Sequence, residues 1–234
     1  MMKKTIFSLF LLVFGVVAWA QPKVPRELQF GAIGGANLSS YSLSPSVMQS
    51  KALGYTAGVG VRYIEEKYFG LQCELHLTRR GIRDRYDDST NYNFERQLLY
   101  VELPVLAHVY FNLGKRSEIA LDLGAKLGYF VDDKKKGNVD DAFYELHETS
   151  IHRYAHHTLD IAQKLDYGIQ AGLGYEYRFN RDLSLQVQGR YYFGLGDIFP
   201  SAKGEVFESS YNQSVQIVMA LWFHHRIRIK KSNQ

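Results

Sequence analysis

Apolar residues recur at every second position in eight stretches of the chain, separated by glycine, polar or charged residues. A period of two belongs to β-strands that have one greasy face and one wet face. The clearest stretch sets Phe69, Leu71, Cys73, Leu75 and Leu77 against Gln72, Glu74, His76 and Thr78. The others cover residues 28–38, 53–63, 99–111, 119–129, 165–177, 183–193 and 215–223. Only Ile33 interrupts the polar side of the first, whereas the last loses its polarity at Val218 and Ala220. Pro104 falls inside the fourth and cannot donate to a ladder, so it belongs near a bulge or a wet interior.

The connections alternate too. Tight turns are expected at Glu65-Glu66-Lys67, at residues 113–117 and at Asn180-Arg181-Asp182. Long loops are expected at 39–51, 81–95, 132–163 and 195–212. Turns on one side and loops on the other fit an eight-stranded antiparallel up-and-down transmembrane β-barrel, with periplasmic turns and extracellular loops. Aromatic residues mark two belts. Phe30, Tyr63, Phe69, Phe111, Tyr177, Phe179 and Phe223 lie beside the turns or the termini, and Tyr55, Tyr129, Tyr167, Tyr191 and Phe193 lie toward the loops. A soluble lipocalin-like barrel or a β-sandwich would point the apolar rows inward. It would then have to expose strands of unusual length with charges on nearly every opposite face.

Composition sharpens this reading. Aromatics reach 14%, with 17 Tyr, 14 Phe and 20 Gly, yet mean hydropathy is only −0.25. Beyond the N-terminus no apolar run approaches the ~20 residues of a helical span, so a helical membrane protein is excluded. Lys3 and Lys4, an apolar stretch over 5–17 and Ala18-Trp19-Ala20 read as a cleaved signal peptide over 1–20. A periplasmic lead is expected at 21–27, the barrel at 28–224 and a basic periplasmic tail at 225–234. The single Cys73 excludes an internal disulfide, so size and hydrogen bonding must hold the fold. The net charge of +4 includes Lys3 and Lys4 and carries no nucleic-acid signal.

Several motifs resemble a known family. They are Gly31-Ala32-Ile33-Gly34-Gly35-Ala36-Asn37-Leu38-Ser39, Arg62-Tyr63, Phe69-Gly70-Leu71-Gln72-Cys73-Glu74-Leu75, Arg80-Gly81 and Tyr100-Val101-Glu102-Leu103-Pro104-Val105-Leu106. Two more are the runs at 122–129 and 166–174. In this order, over residues 28–224, the chain is similar to the PorT-like outer-membrane β-barrel family of Bacteroidetes. The resemblance implies fold and location. It carries over no catalytic or binding residue, because the shared positions are those of strands and turns. Its founding member serves the type IX secretion system.

The polar rows hold Arg62, Glu74, His76, Arg80, Glu102, His108, Asp122, Lys126, Lys164, Asp166, Glu176, Arg178 and Arg190, with both signs interleaved. An eight-stranded barrel is only wide enough for side chains to fill, so a salt-bridged plug is expected rather than a pore. The third loop carries His147, His152, His156 and His157. His147-Glu148-Thr149-Ser150-Ile151-His152 resembles the zincin pattern, but five residues on a helix advance ~500° and part the rings by about 140°. A looser metal site could use His152 and His156, against the alternative of a solvated, partly helical loop. Asp84, Asp87, Asp88, Asp132, Asp133 and His147 would lie at the rim, where some barrels keep enzyme sites, but no spacing singles out a nucleophile and its base.

The expectation is therefore a structural or interaction scaffold that works through its extracellular loops, with no enzyme activity, cofactor, catalytic residue or committed metal ligand. The alternatives are a type IX-like secretion accessory, a narrow porin and an adhesin. Expected partners are outer-membrane lipid and lipopolysaccharide, the latter near Lys134-Lys135-Lys136, and other envelope or secretion proteins; nucleic acid is not expected.

Overall fold

A computed structural model of the protein describes residues 26–47, 49–86, 92–139, 141–146, 154–201 and 206–226. Eight strands follow in chain order: β1 (Glu27–Ser44), β2 (Gln49–Glu66), β3 (Phe69–Asp84), β4 (Phe94–Asn112), β5 (Ser117–Gly137), β6 (Leu165–Arg178), β7 (Leu183–Asp197) and β8 (Ser209–Arg226). Each pairs antiparallel with the next, and β1 pairs with β8 from Glu27↔Arg226 to Ser44↔Ser209, closing a ring. The expected signal peptide and most of the expected tail lie outside the described residues.

The alternation sorts as its chemistry requires. Leu71, Leu75, Leu77, Leu121, Leu123, Ile169, Leu173 and Ile217 all point outward and are exposed, as are Phe30, Phe69, Tyr129 and Tyr191 of the aromatic belts. The polar rows point inward and are buried. Two residues of the expected inner row differ. Lys164 precedes β6 and is exposed, and Arg178 ends β6 half-buried at the turn end. Pro104 also points inward; the β3–β4 ladder is interrupted opposite Leu103 and Pro104 and resumes in the same register.

The strands run further than the sequence pattern indicates. They are 14 to 21 residues long, whereas about 9–11 tilted residues cross a bilayer. The surplus lies at the loop end, so the expected long loop at 39–51 shrinks to residues 45–48. Alternation fades there because neither face of the wall meets hydrocarbon. The ring also splits at this end. The β1–β2 ladder stops at Ser39↔Ala52, and β1 continues with β8 alone while β2 pairs with β3 up to Gln49↔Asp84. Gln49 bridges the split, accepting from Tyr41 N at 3.1 Å and donating to Tyr41 O at 2.5 Å.

At the other end the turns are short. Tyr68 takes φ 79° in the β2–β3 turn, one residue beyond the expected tripeptide, and Gly114 takes φ 140° in the β4–β5 turn. The apolar interruptions noted in the polar rows meet inside the barrel: Ile33, Val218 and Ala220 cluster with Trp222. Gly31 pairs with Gly60 on one side and Trp222 on the other, so the indole lies across the two glycines. A Cβ on Gly31 would stand 2.5 Å from Trp222 Cε3. Gly31→Val is therefore expected to destabilise the barrel by about 1–3 kcal/mol through overpacking, read from its urea midpoint and from the emission of Trp222.

Candidate functional site

The lumen is a continuous set of paired charges. Near the turn end Arg62 donates to Gln72 at 2.6 Å, Gln29 at 3.0 Å, Glu176 at 2.8 Å and Gln186 at 2.9 Å. Its guanidinium also lies 4.1 Å from the Trp222 ring centroid. In the middle, Arg190 clamps Glu74 through two bonds of 2.7 and 2.8 Å, and His108 meets Asp122 at 2.6 Å. Higher up, Arg80 joins Glu102 at 2.8 Å and Asp166 at 2.7 Å, and Lys126 reaches Glu102 at 3.1 Å. Tyr192 accepts Lys126 on its face at 3.7 Å. Buried ions need this degree of pairing, and the Arg62–Glu176, Arg190–Glu74, Arg80–Glu102 and Lys126–Glu102 pairs each join two different strands.

Above the charges the mouth is stoppered by apolar packing. Tyr41 and Leu43 of β1, Ile82 of β3, Leu98 and Tyr100 of β4, and Ile198, Phe199 and Phe207 of the β7–β8 connection form one buried cluster. It sits where the ring splits. The β5–β6 connection, with helix α1 (Asp141–Leu146) and a 3-10 turn (Ala155–His157), folds against it. Arg96 holds this connection in place, donating to the His156 and Leu159 carbonyls at 2.7 Å each and pairing with Asp133 at 2.6 Å.

The 3-10 turn also presents two buried imidazoles to one carboxylate. His156 Nε2 is 2.7 Å from Asp84 Oδ1 and His157 Nε2 is 2.6 Å from Asp84 Oδ2. The other nitrogen of His157 lies 3.1 Å from the Tyr144 hydroxyl, and its ring stacks on Phe94 at 3.6 Å. Burial lowers the His157 pKa and so favours the neutral ring. The expected pairing of His156 with His152 involves a residue outside those the structure describes. His147, His152, Asp87 and Asp88 lie outside the described residues, and His156 is taken up by Asp84, a residue 72 positions away.

A family model for an outer membrane protein beta-barrel domain matches residues 19–200. The chain belongs to that family. It is an eight-stranded outer-membrane barrel, and its outward apolar rows are its lipid face. Comparison with curated proteins finds no match. Among solved structures it is similar to the outer membrane protein OprG from Pseudomonas aeruginosa, at 13% identity and a TM-score of 0.48, covering 88% of this chain and 99% of that one. It is also similar to Ail, the attachment invasion locus protein of Yersinia pestis, at 12% identity and a TM-score of 0.39, covering 86% and 100%. AlkL in lipid bilayers gives 11%, 0.45, 91% and 96%.

One arrangement in this outer-membrane barrel was not legible in the sequence. Ser184 Oγ is 2.7 Å from His224 Nε2, and His224 Nδ1 is 2.7 Å from Glu27 Oε1. The order resembles a serine–histidine–carboxylate relay. However, Ser184 is fully buried and its hydroxyl also bonds Glu176 at 2.5 Å, so its oxygen is directed into the lumen network. The three residues stitch β1, β7 and β8 together at the turn end.

Proposed function

We propose that this outer-membrane barrel is a non-conducting scaffold that presents its loop end outside the cell as an interaction surface. The supporting observation is the double closure of the lumen: buried ion pairs fill it, and the Tyr41–Phe207 cluster caps it. A path for solutes would have to break charge pairs held in a buried interior, which costs several kcal/mol each. No reaction is assigned to it. The exposed ridge Lys134, Lys135 and Lys136 at the end of β5 is suited to lipopolysaccharide phosphates, and envelope or secretion proteins are the partners proposed for the loops.

Planar-bilayer recordings of the purified barrel are expected to show no stable single-channel conductance; sustained, voltage-independent steps would replace the scaffold with a narrow porin. Deletion followed by profiling of exported proteins addresses the partners. An unchanged profile fits an interaction surface, and loss of cargo would make the barrel a secretion accessory of the type IX kind.

A further inference from the structure

We propose that Asp84, His156 and His157 form a binding site for one divalent transition-metal ion of the zinc class, at the loop end of the barrel and separate from its scaffold role. The three residues come from two segments, the end of β3 and the β5–β6 connection, and all are buried. One ligand atom from each lies within 4.8 Å of the others. Two imidazole nitrogens and a carboxylate oxygen suit zinc, cobalt, nickel or iron better than calcium or magnesium, which take oxygen donors. Three protein ligands leave a further position for water.

The proton positions allow the exchange. Each Nε2 now faces the carboxylate, so an ion entering there displaces two hydrogen bonds. His157 can carry its proton on Nδ1 and donate it to the Tyr144 oxygen at 3.1 Å, the outer-shell bond that metal-ligating histidines ordinarily make. His156 Nδ1 is buried with no partner among the described residues, so a proton placed there breaks no existing bond. Around an ion with bonds of ~2.0–2.1 Å, tetrahedral ligand atoms stand about 3.3 Å apart. The two Nε2 atoms now lie 2.7 and 2.6 Å from different oxygens of Asp84, so seating an ion between them requires each ring to draw back from its oxygen by roughly 0.6 Å.

The test uses the full mature barrel refolded in detergent, titrated with zinc chloride by calorimetry and with cobalt chloride by visible absorption. One equivalent is expected, with cobalt d–d bands of low symmetry. Asp84→Asn and His157→Gln, each checked for folding by heat-modifiable gel mobility, are expected to weaken binding at least tenfold, and Tyr144→Phe by about tenfold. X-ray absorption on the wild-type zinc complex is expected to give two imidazoles and an oxygen, and this arm holds even if a variant fails to fold. No heat with zinc together with no d–d bands with cobalt overturns the proposal. So does binding that survives both ligand substitutions, or an absorption spectrum without two imidazoles.

Discussion

Arg62→Ala is expected to destabilise the barrel by about 3–5 kcal/mol, the cost of leaving a buried partner charge uncompensated. Arg62 of β2 ties four other strands together: Gln29 comes from β1, Gln72 from β3, Glu176 from β6 and Gln186 from β7. Truncation strands the Glu176 carboxylate, which is 2% exposed, and removes the cation from the face of Trp222. The double variant Arg62→Met, Glu176→Gln removes both charges and is expected to recover most of the loss, because a well-packed neutral pair escapes the desolvation cost. Urea unfolding in lipid vesicles measures both. A single-variant loss below about 1 kcal/mol would mean that water already solvates Glu176, and the closed lumen behind the scaffold proposal would be wrong.

Leu123→Arg should cost about 2–4 kcal/mol in a bilayer, the depth-dependent penalty for a cation near the midplane. Leu123 is on β5, between Ser117 at the turn and Tyr129 of the upper belt, and 53% of it is exposed. The same substitution on a water-facing strand would fall within about ±0.5 kcal/mol. Its control is Val131→Arg, beyond Tyr129 toward the loop end of the same strand and also exposed, where the effect is expected to be much smaller because the penalty falls toward the interface. A flat response along β5 would contradict a lipid-facing outer wall.

The two substitutions probe opposite faces of one wall, and the chain distinguishes those faces by strict alternation. That is why the eight strands, their order, the turn end and the two aromatic belts were legible. Each depends on residues two apart or on neighbours in sequence. The inner row was legible as a list of charges, and all but Lys164 and Arg178 prove buried. Its pairing was not legible, since Arg62 meets Glu176 114 positions away and Arg190 meets Glu74 116 positions away.

Above the hydrocarbon the period of two loses its meaning, and there the sequence underestimates β1, β3, β5 and β8. The metal-binding candidate shows the same limit at the level of single residues. Asp84 stood out as a rim carboxylate and His156 as a loop histidine, but no spacing joined the two. The 3-10 turn at Ala155–His157 aims adjacent imidazoles at a carboxylate of β3, 72 positions from His156.

By itself the sequence determined the class of wall: how many strands, which side of each is greasy, and that the interior must hold charge. Those properties are local, because a strand's side chains alternate whatever it pairs with. The tertiary structure decided which charges neutralise each other, how Trp222 fits over Gly31 and Gly60, and where the mouth is stoppered. Ring closure brings distant strands face to face across the lumen, and no local pattern encodes which residues then meet.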